Sequence, residues 1–300
     1  MPDDGRKNRI MVAQEASITM PHLSRSEINA RLWSRVKLGK PVVMCGAGVG
    51  LVAKVADGAG IDAIMAYNTG PFRMDGFGSL AGYLAYGDAN AITIELTRRI
   101  CKVVKTAPVV AGVGAAAPYR SRDSVVDALL AAGASGITNV PTAGIYDGTF
   151  RSHIEATGLG YDEEIALIKT CSERDIFTVA YAFNAKEAAA MAQAGADVVA
   201  GHVGLTSGGL IGAKDVLPLD EVCARIVEMA KAVQEARPGT LVLAHGGPLE
   251  DPDSVQEVLR RTDVHGYLGA SSIERLAVER SVAQIVHELK NLRLGGGAGL

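Results

Sequence analysis

Apolar residues along this chain gather into eight short runs, each closed by glycine or a small polar residue. The runs are Pro41–Cys45, Ala63–Tyr67, Pro108–Gly112, Gly136–Val140, Phe177–Phe183, Val198–Val203, Leu241–His245 and Gly266–Gly269. Within each run the apolar positions are consecutive rather than alternating. Strands covered on both faces read this way, as in an all-parallel sheet. Between the runs lie helical patterns, near 51–57, 91–105, 121–132, 162–174, 185–194, 219–236 and 253–261. A last one ends about Leu292. Several joints repeat one cue, as in Ala132-Gly-Ala-Ser-Gly136 and Ala194-Gly-Ala-Asp197. Glycine there ends a helix in the left-handed conformation and the next strand begins at once. Ahead of the first run, Ser24 and Glu27 have the spacing of a capping box. They predict a helix to about Leu38, with Trp33, Val36 and Leu38 as its buried stripe.

Eight strand–helix units over about 250 residues predict an α/β fold, a (β/α)8 TIM barrel. A doubly wound open sheet is the competitor, and it more often stops at five to seven strands. The expected organisation is an irregular arm at 1–23, a single barrel domain with an N-terminal helix at 24–293, and a flexible tail at 294–300.

Composition narrows the class. Hydrophobic residues make up 48% of the 300, enough for a large core, while aromatics are only 5%. Thirty basic against 33 acidic residues give a net charge of −3. No basic stripe is expected to hold a nucleic acid, and no apolar run reaches the ~18 residues of a membrane span. Four cysteines without a CxxC pair fit a reducing, cytoplasmic setting. Glycine is over-represented at 35 residues, and many fall at the ends of the apolar runs. Neither a GxxxxGK[ST] loop nor a GxSxG elbow is present in the sequence.

In such a barrel the chemistry sits where strands end. Those positions carry Cys45, Gly46 and Gly48; Tyr67 and Asn68; Asn139; Asn184; His202 and Thr206; His245, Gly246 and Gly247; and Gly269, Ser271 and Ser272. The last two groups are expected to form an anion pocket, because loops after strands 7 and 8 often bind phosphate through backbone N–H groups. Tight turns and a helix cap are the plainer reading of the same residues. His202 and His245 are candidates for proton transfer, since imidazole titrates near neutrality. They could instead ligate a metal, or simply hydrogen-bond within the loop layer. Tyr67 and Asn68 could polarise a carbonyl, and Cys45 reads more readily as a small buried apolar residue. No metal ligand is assigned and the cofactor is unknown. Mg²⁺ is conceivable, but strand ends lack its usual carboxylate cluster. Three long loops, 70–90, 142–161 and 204–215, could act as lids.

Five segments carry a resemblance: PVVMCGAGVGLVAKVADGAGIDAI, YNTGPFRMDGFGSLAGYLAYGDAN, GITNVPTAGIYDGTFR, GLTSGGLIGA and GYLGASSIERLAVE. Over about residues 24–293 the chain resembles the phosphoenolpyruvate hydrolase-like family, also described as TIM-barrel signal-transduction proteins. The resemblance implies a barrel enzyme acting on a small phosphorylated or 2-oxo carboxylate such as phosphoenolpyruvate or phosphonopyruvate. It implies acid/base chemistry of a hydrolase or lyase at the rim. Relatives carry or sit beside a nucleotide-binding domain. The alternative is therefore a non-catalytic metabolite-binding or signalling barrel that works with a nucleotide-binding partner protein. The expected partners are a small anionic molecule and a second copy in a homo-oligomer, with no nucleic acid and no membrane.

Overall fold

In the computed structural model, which describes residues 23–294, the eight runs become eight parallel strands closed into one barrel. The strands are β1 (Val42–Gly46), β2 (Ala63–Ala66), β3 (Val109–Gly112), β4 (Gly136–Thr138), β5 (Phe177–Ala182), β6 (Val198–His202), β7 (Leu241–His245) and β8 (Gly266–Gly269). β8 pairs back onto β1, with Val42 opposite Gly266 and Cys45 opposite Gly269. The helices are α1 (Arg25–Lys37), α2 (Gly50–Gly58), α3 (Thr69–Met74), α4 (Ala89–Cys101), α5 (Arg122–Ala131) and α6 (Gly148–Ala156). They continue with α7 (Tyr161–Glu173), α8 (Ala185–Gln193), α9 (Leu219–Ala236), α10 (Pro252–Arg261) and α11 (Arg275–Lys290). The irregular segment at 1–22 and the tail at 295–300 lie outside the described residues. Leu23, placed with the arm in the sequence reading, is buried in the core.

Successive strand residues point to opposite faces, and two cores result. Val42, Met44, Met65, Val110, Val179, Ala200, Leu243 and Leu268 fill the barrel interior. Val43, Cys45, Ile64, Ala111, Ala180 and Val199 face the helix ring outside. α1 plugs the N-terminal end of the barrel. Its capping box forms in both directions. Its buried face is Ile28 and Leu32, while Leu38, expected in that stripe, is exposed because it lies past the last turn.

Two of the long loops contain short helices. In the first, α3 starts directly after β2, and Pro71 suits its opening turn, where a missing N–H costs nothing. A 3-10 turn at Ser79–Tyr83 follows. In the second, α6 buries none of its residues, so no apolar period marks it. It is held by polar contacts: Arg151 bonds Glu155, Glu187 and the Ala143 carbonyl.

Candidate functional site at the barrel mouth

At the C-terminal ends of the strands lies a small cavity that opens to solvent. Its wall includes Tyr67, Thr69, Arg73, Tyr181, His202, Thr206, His245 and Ser271. Tyr67 fits because glycines flank it. A methyl group on Gly46 would meet the Tyr67 hydroxyl at 3.1 Å, and one on Gly112 would strike its Cβ.

The charged side of the mouth is built from α3 and the turn after β8. Arg73 and Glu274 are both buried. Arg73 Nε donates to Glu274 Oε2 at 2.7 Å, and Nη1 donates to Thr69 Oγ1 at 2.8 Å. Nη2 lies 2.7 Å from the same carboxylate oxygen but off the hydrogen-bond direction. Among the described residues it has no acceptor. The other Glu274 oxygen accepts the Gly48 amide. Gly48 in turn crosses Gly70 so closely that a methyl on either would hit the other's backbone. One carboxylate thus ties together the loops after β1, β2 and β8, and pairs closely with a guanidinium that is itself buried.

The neutral side is built from β5, β6 and β7. His202 and His245 are register partners, their ring centroids 4.7 Å apart. Tyr181 meets His245 edge-on at 4.9 Å, and Phe183 stacks on His202 at 4.6 Å. Burial pushes both imidazoles below their ordinary range, His245 to about 4 and His202 well below 6.5 with a further contribution from His245. At neutral pH both rings are uncharged, whereas the sequence reading expected them to titrate there.

Hydrogen-bond partners assign opposite tautomers to the two rings. His245 Nδ1 sits 2.7 Å from the Leu268 carbonyl oxygen, which can only accept, so Nδ1 carries the proton and Nε2 a lone pair. His202 Nδ1 accepts the Gly204 amide at 3.1 Å, so its proton is on Nε2. The pair therefore offers one N–H donor and one basic nitrogen. Burial likewise raises the phenols of Tyr67 and Tyr181, so both stay protonated.

Of the residues singled out in the sequence, Tyr67, His202, His245, Thr206 and Ser271 meet at this cavity. Gly46 makes room beside it. Asn68 is buried outside the cavity lining, with Nδ2 donating to the Gly82 carbonyl and Oδ1 without a partner among the described residues. Others are placed elsewhere. Cys45 points into the helix layer, where burial pushes its thiol up to about 12. Ser272 faces the outer wall, 2.6 Å from the Tyr267 hydroxyl, and Gly269 is packed against Ser272 and Ile273. Asn184 caps α8. Gly246 and Gly247 take positive φ of 85° and 61°, as a glycine turn should. The Gly247 amide, however, is bonded to the Gly204 carbonyl and does not open an anion nest. Asn139 holds Glu164 at 2.6 Å and both backbone groups of Tyr181, which makes it a positioning residue for the Tyr181 strand.

The sequence reading missed Arg73, Glu274, Tyr181 and Glu164. Glu164 is fully enclosed, and burial raises its carboxyl to about 8 against donors from Thr142, Asn139 and the Ala143 amide. The donor set does not suit Mg²⁺. Glu274 is already committed to Arg73 and Gly48, and no three His, Cys, Asp or Glu side chains converge among the described residues. Two neutral histidines alone do not complete a metal site.

Fold and mouth together define a (β/α)8 barrel with a cavity lined by aromatic, histidine and hydroxyl side chains at its C-terminal face. The chain belongs to the phosphoenolpyruvate hydrolase-like family, whose profile matches residues 27–292. It is 43% identical over 271 residues to the ToMV susceptible protein tm-1(GCR26) of Solanum lycopersicum, covering 90% of this chain and 36% of that protein. The chain thus spans little more than a third of that relative's length. Among solved structures, the fold is similar to phosphonopyruvate hydrolase complexed with oxalate and Mg²⁺ (TM-score 0.55, 20% identity, 88% and 87% coverage). It is also similar to phosphoenolpyruvate phosphomutase from Streptomyces platensis subsp. rosaceus (TM-score 0.57, 17% identity, 88% of each chain). Among the described residues no helix is long and apolar enough to cross a membrane.

Proposed function

We propose that the mouth binds a small 2-oxo or phosphorylated carboxylate and promotes proton transfer next to its carbonyl. The observation that carries this reading is the pair of neutral histidines in opposite tautomers, beside the buried Arg73 guanidinium. A ligand carboxylate or phosphate is held by Arg73 Nη2 and by the hydroxyls of Thr69 and Ser271. Its carbonyl oxygen accepts from His202 Nε2–H, with the Tyr67 and Tyr181 phenols as further donors. Such fixed donors stabilise the oxyanion of an enolate where water is excluded. His245 Nε2 is the proton acceptor. Burial, and after it the Arg73 charge, holds this nitrogen's affinity low. A bound anion offsets the second effect and raises it, so substrate binding itself prepares the base. Solved relatives of the fold include an oxalate complex and a phosphomutase, which supports the ligand class.

One observation favours a second reading, a metabolite-binding barrel that signals to a nucleotide-binding partner. In the free mouth the phenols are held high and the imidazoles low, so no cavity group is poised near neutrality. The two readings separate in one experiment. Oxalate binding is measured by calorimetry, and 2-oxo acids are incubated with the protein in D₂O while NMR follows exchange at the carbon beside the carbonyl. The enzyme reading expects binding and exchange, with exchange lost in His245→Gln. Binding without exchange selects the second reading. Failure to bind oxalate, phosphoenolpyruvate or phosphonopyruvate overturns both.

A further inference from the structure

A second cavity opens on the same face of the barrel, and the proposed proton transfer does not use it. It lies between the loops that follow β2, β3 and β4. Its volume is about 460 Å³, against about 40 Å³ at the mouth. Tyr83 and Thr142 line both spaces, so a single layer of side chains divides them.

Two ties hold this cavity open. Asn90 Oδ1 accepts the Gly114 amide at 2.8 Å and Nδ2 donates to the Gly114 carbonyl at 3.2 Å, which fixes the start of α4 to the loop after β3. The Tyr146 hydroxyl donates to the Tyr83 carbonyl at 2.9 Å, and the two rings meet edge-on at 6.2 Å. That fixes the loop after β4 to the 3-10 turn at Ser79–Tyr83. Between these ties the side chains are small. Ala115, Ala116 and Ala117 follow one another along the wall, and the space that larger residues would fill stays open.

The chemistry of this cavity is unlike that of the mouth. Leu84, Pro118, Tyr119, Ile154 and Leu159 line it, and Leu84, Tyr119 and Leu159 are 46–96% exposed. Apolar surface gathered around a concavity marks a ligand site, whereas single exposed apolar residues need no explanation. The charged groups in the lining are all engaged. Asp88 caps α4 and pairs with Arg120 at 3.4 Å. Glu164 accepts from the Ala143 amide and from Asn139, each at 2.6 Å. The cavity therefore offers apolar area and three tyrosine rings to a guest, and no free charge among the described residues.

We propose that the acid taken by the mouth bears an uncharged apolar tail, by preference an aromatic ring, on the carbon beside its carbonyl, and that this tail lies in the second cavity past Tyr83 and Thr142. The inference rests on the mouth binding a 2-oxo carboxylate and adds what that acid carries. An aromatic tail fits the rings of Tyr83, Tyr119 and Tyr146, since aromatic pairs gain beyond their buried area. It also fits the chemistry. When the C–H bond beside the carbonyl breaks, its proton goes to His245 Nε2 and its electron pair becomes the carbon–carbon π bond. The carbonyl π pair moves to oxygen, which accepts from His202 Nε2–H. A ring on that carbon conjugates with the new π bond and spreads the charge. A nitrogen of low basicity, as burial makes His245, is then sufficient to take the proton.

The test is calorimetry on the full chain at pH 7 with oxalate, pyruvate and phenylpyruvate. Phenylpyruvate is expected to bind at least ~10-fold more tightly than pyruvate, because burying a ring in place of a methyl group exceeds the ~1.4 kcal/mol of a tenfold change. Ala116→Leu fills the cavity, and Ile154→Asp sets a charge on its wall. Each is expected to reduce the preference for phenylpyruvate to about threefold or less, with oxalate and pyruvate within about twofold of wild type. Circular dichroism checks folding. Should Ala116→Leu not fold, Ile154→Asp keeps the test, since α6 buries none of its residues. Nuclear Overhauser contacts from the phenyl protons to the Ile154 and Leu159 methyl groups are expected as the direct sign of placement. If oxalate binds and phenylpyruvate is no tighter than pyruvate, the tail site is overturned and the reading of the mouth stands. A preference that survives in the folded variants overturns it equally. If none of the three ligands binds, the reading of the mouth fails and the tail site fails with it.

Discussion

Two arginine–carboxylate pairs, one buried and one half-buried, stand at opposite ends of this barrel, and they are built differently. At the N-terminal end, Arg25 Nε donates to both oxygens of Asp197, at 2.9 and 3.0 Å. Its Nη1 and Nη2 bond the Ser172 and Gly195 carbonyls. Asp197 also accepts from Asn29 Nδ2 and the Thr178 amide. Every strong donor there has an acceptor within the chain. At the mouth, Arg73 and Glu274 make an equally close pair, yet among the described residues Arg73 Nη2 has no aligned hydrogen-bond acceptor. A saturated pair can only hold structure together. An unsaturated one, beside two uncharged histidines and two protonated phenols, is where the proposed ligand would bind. On the proposed function, the same residue types serve stability at one face and binding at the other, the division expected of the two ends of such a barrel.

The comparison can be broken at several points. The largest effect is expected at Glu274. Glu274→Ala leaves a buried guanidinium without its counter-charge, which costs about 3–5 kcal/mol. Chemical denaturation should show that loss, together with loss of oxalate binding. If stability falls and binding persists, Arg73 does not anchor the ligand.

Next in size is the acid limb of stability. His245 has a folded pKa of about 4 against an ordinary 6.5. Between these values the unfolded chain binds more protons, so stability is full above 6.5 and falls as the pH drops toward 4. The loss reaches roughly 3 kcal/mol at one pKa unit per ~1.4 kcal/mol. Thermal midpoints from pH 4 to 7 should therefore slope less in His245→Gln. Glu164, raised to about 8, works in the opposite sense. Its contribution is full below about 4.5 and is lost as the pH rises toward 8, so Glu164→Gln should flatten the neutral-to-alkaline side.

A smaller effect belongs to the other end. Arg25→Gln should cost about 2 kcal/mol, because its side chain is partly exposed and solvent screens what remains. Oxalate affinity should stay within about twofold of wild type. A clear drop in affinity would show that the two ends are coupled. The smallest expected change is at His202. His202→Phe removes the Nε2–H donor in a stacked, apolar setting, and should weaken oxalate about tenfold, or ~1.4 kcal/mol.

Much of this fold is legible in the sequence, because its information is local. Eight apolar runs mark eight strands to within about a residue or two, and glycine joints mark the helix ends. The site is less legible, for two physical reasons. The first is parity. Neighbouring strand residues face opposite sides, so naming both Cys45 and Gly46 placed one of them in the helix layer. The loop after β8 similarly puts Ser271 at the mouth and Ser272 at the outer wall. The second is distance in sequence. Arg73 and Glu274 are 201 residues apart, and Asn139 reaches Tyr181 across 42. Arg73 lies on a six-residue helix with no apolar period, and Tyr181 lies inside an ordinary β-strand. A basic residue a few positions past the end of the β2 run was the available signal for Arg73. Nothing local marks Glu274, whose importance comes only from the three loops it joins.

The central claim is that the mouth presents one imidazole as a donor and the other as an acceptor, both uncharged. Long-range ¹⁵N–¹H correlation spectra of the histidine rings at pH 7 test it directly. The expected spectra show His202 protonated on Nε2 and His245 on Nδ1, and both ring signals shift when oxalate is added. Identical tautomers, a charged ring at pH 7, or signals that ignore saturating oxalate would contradict it.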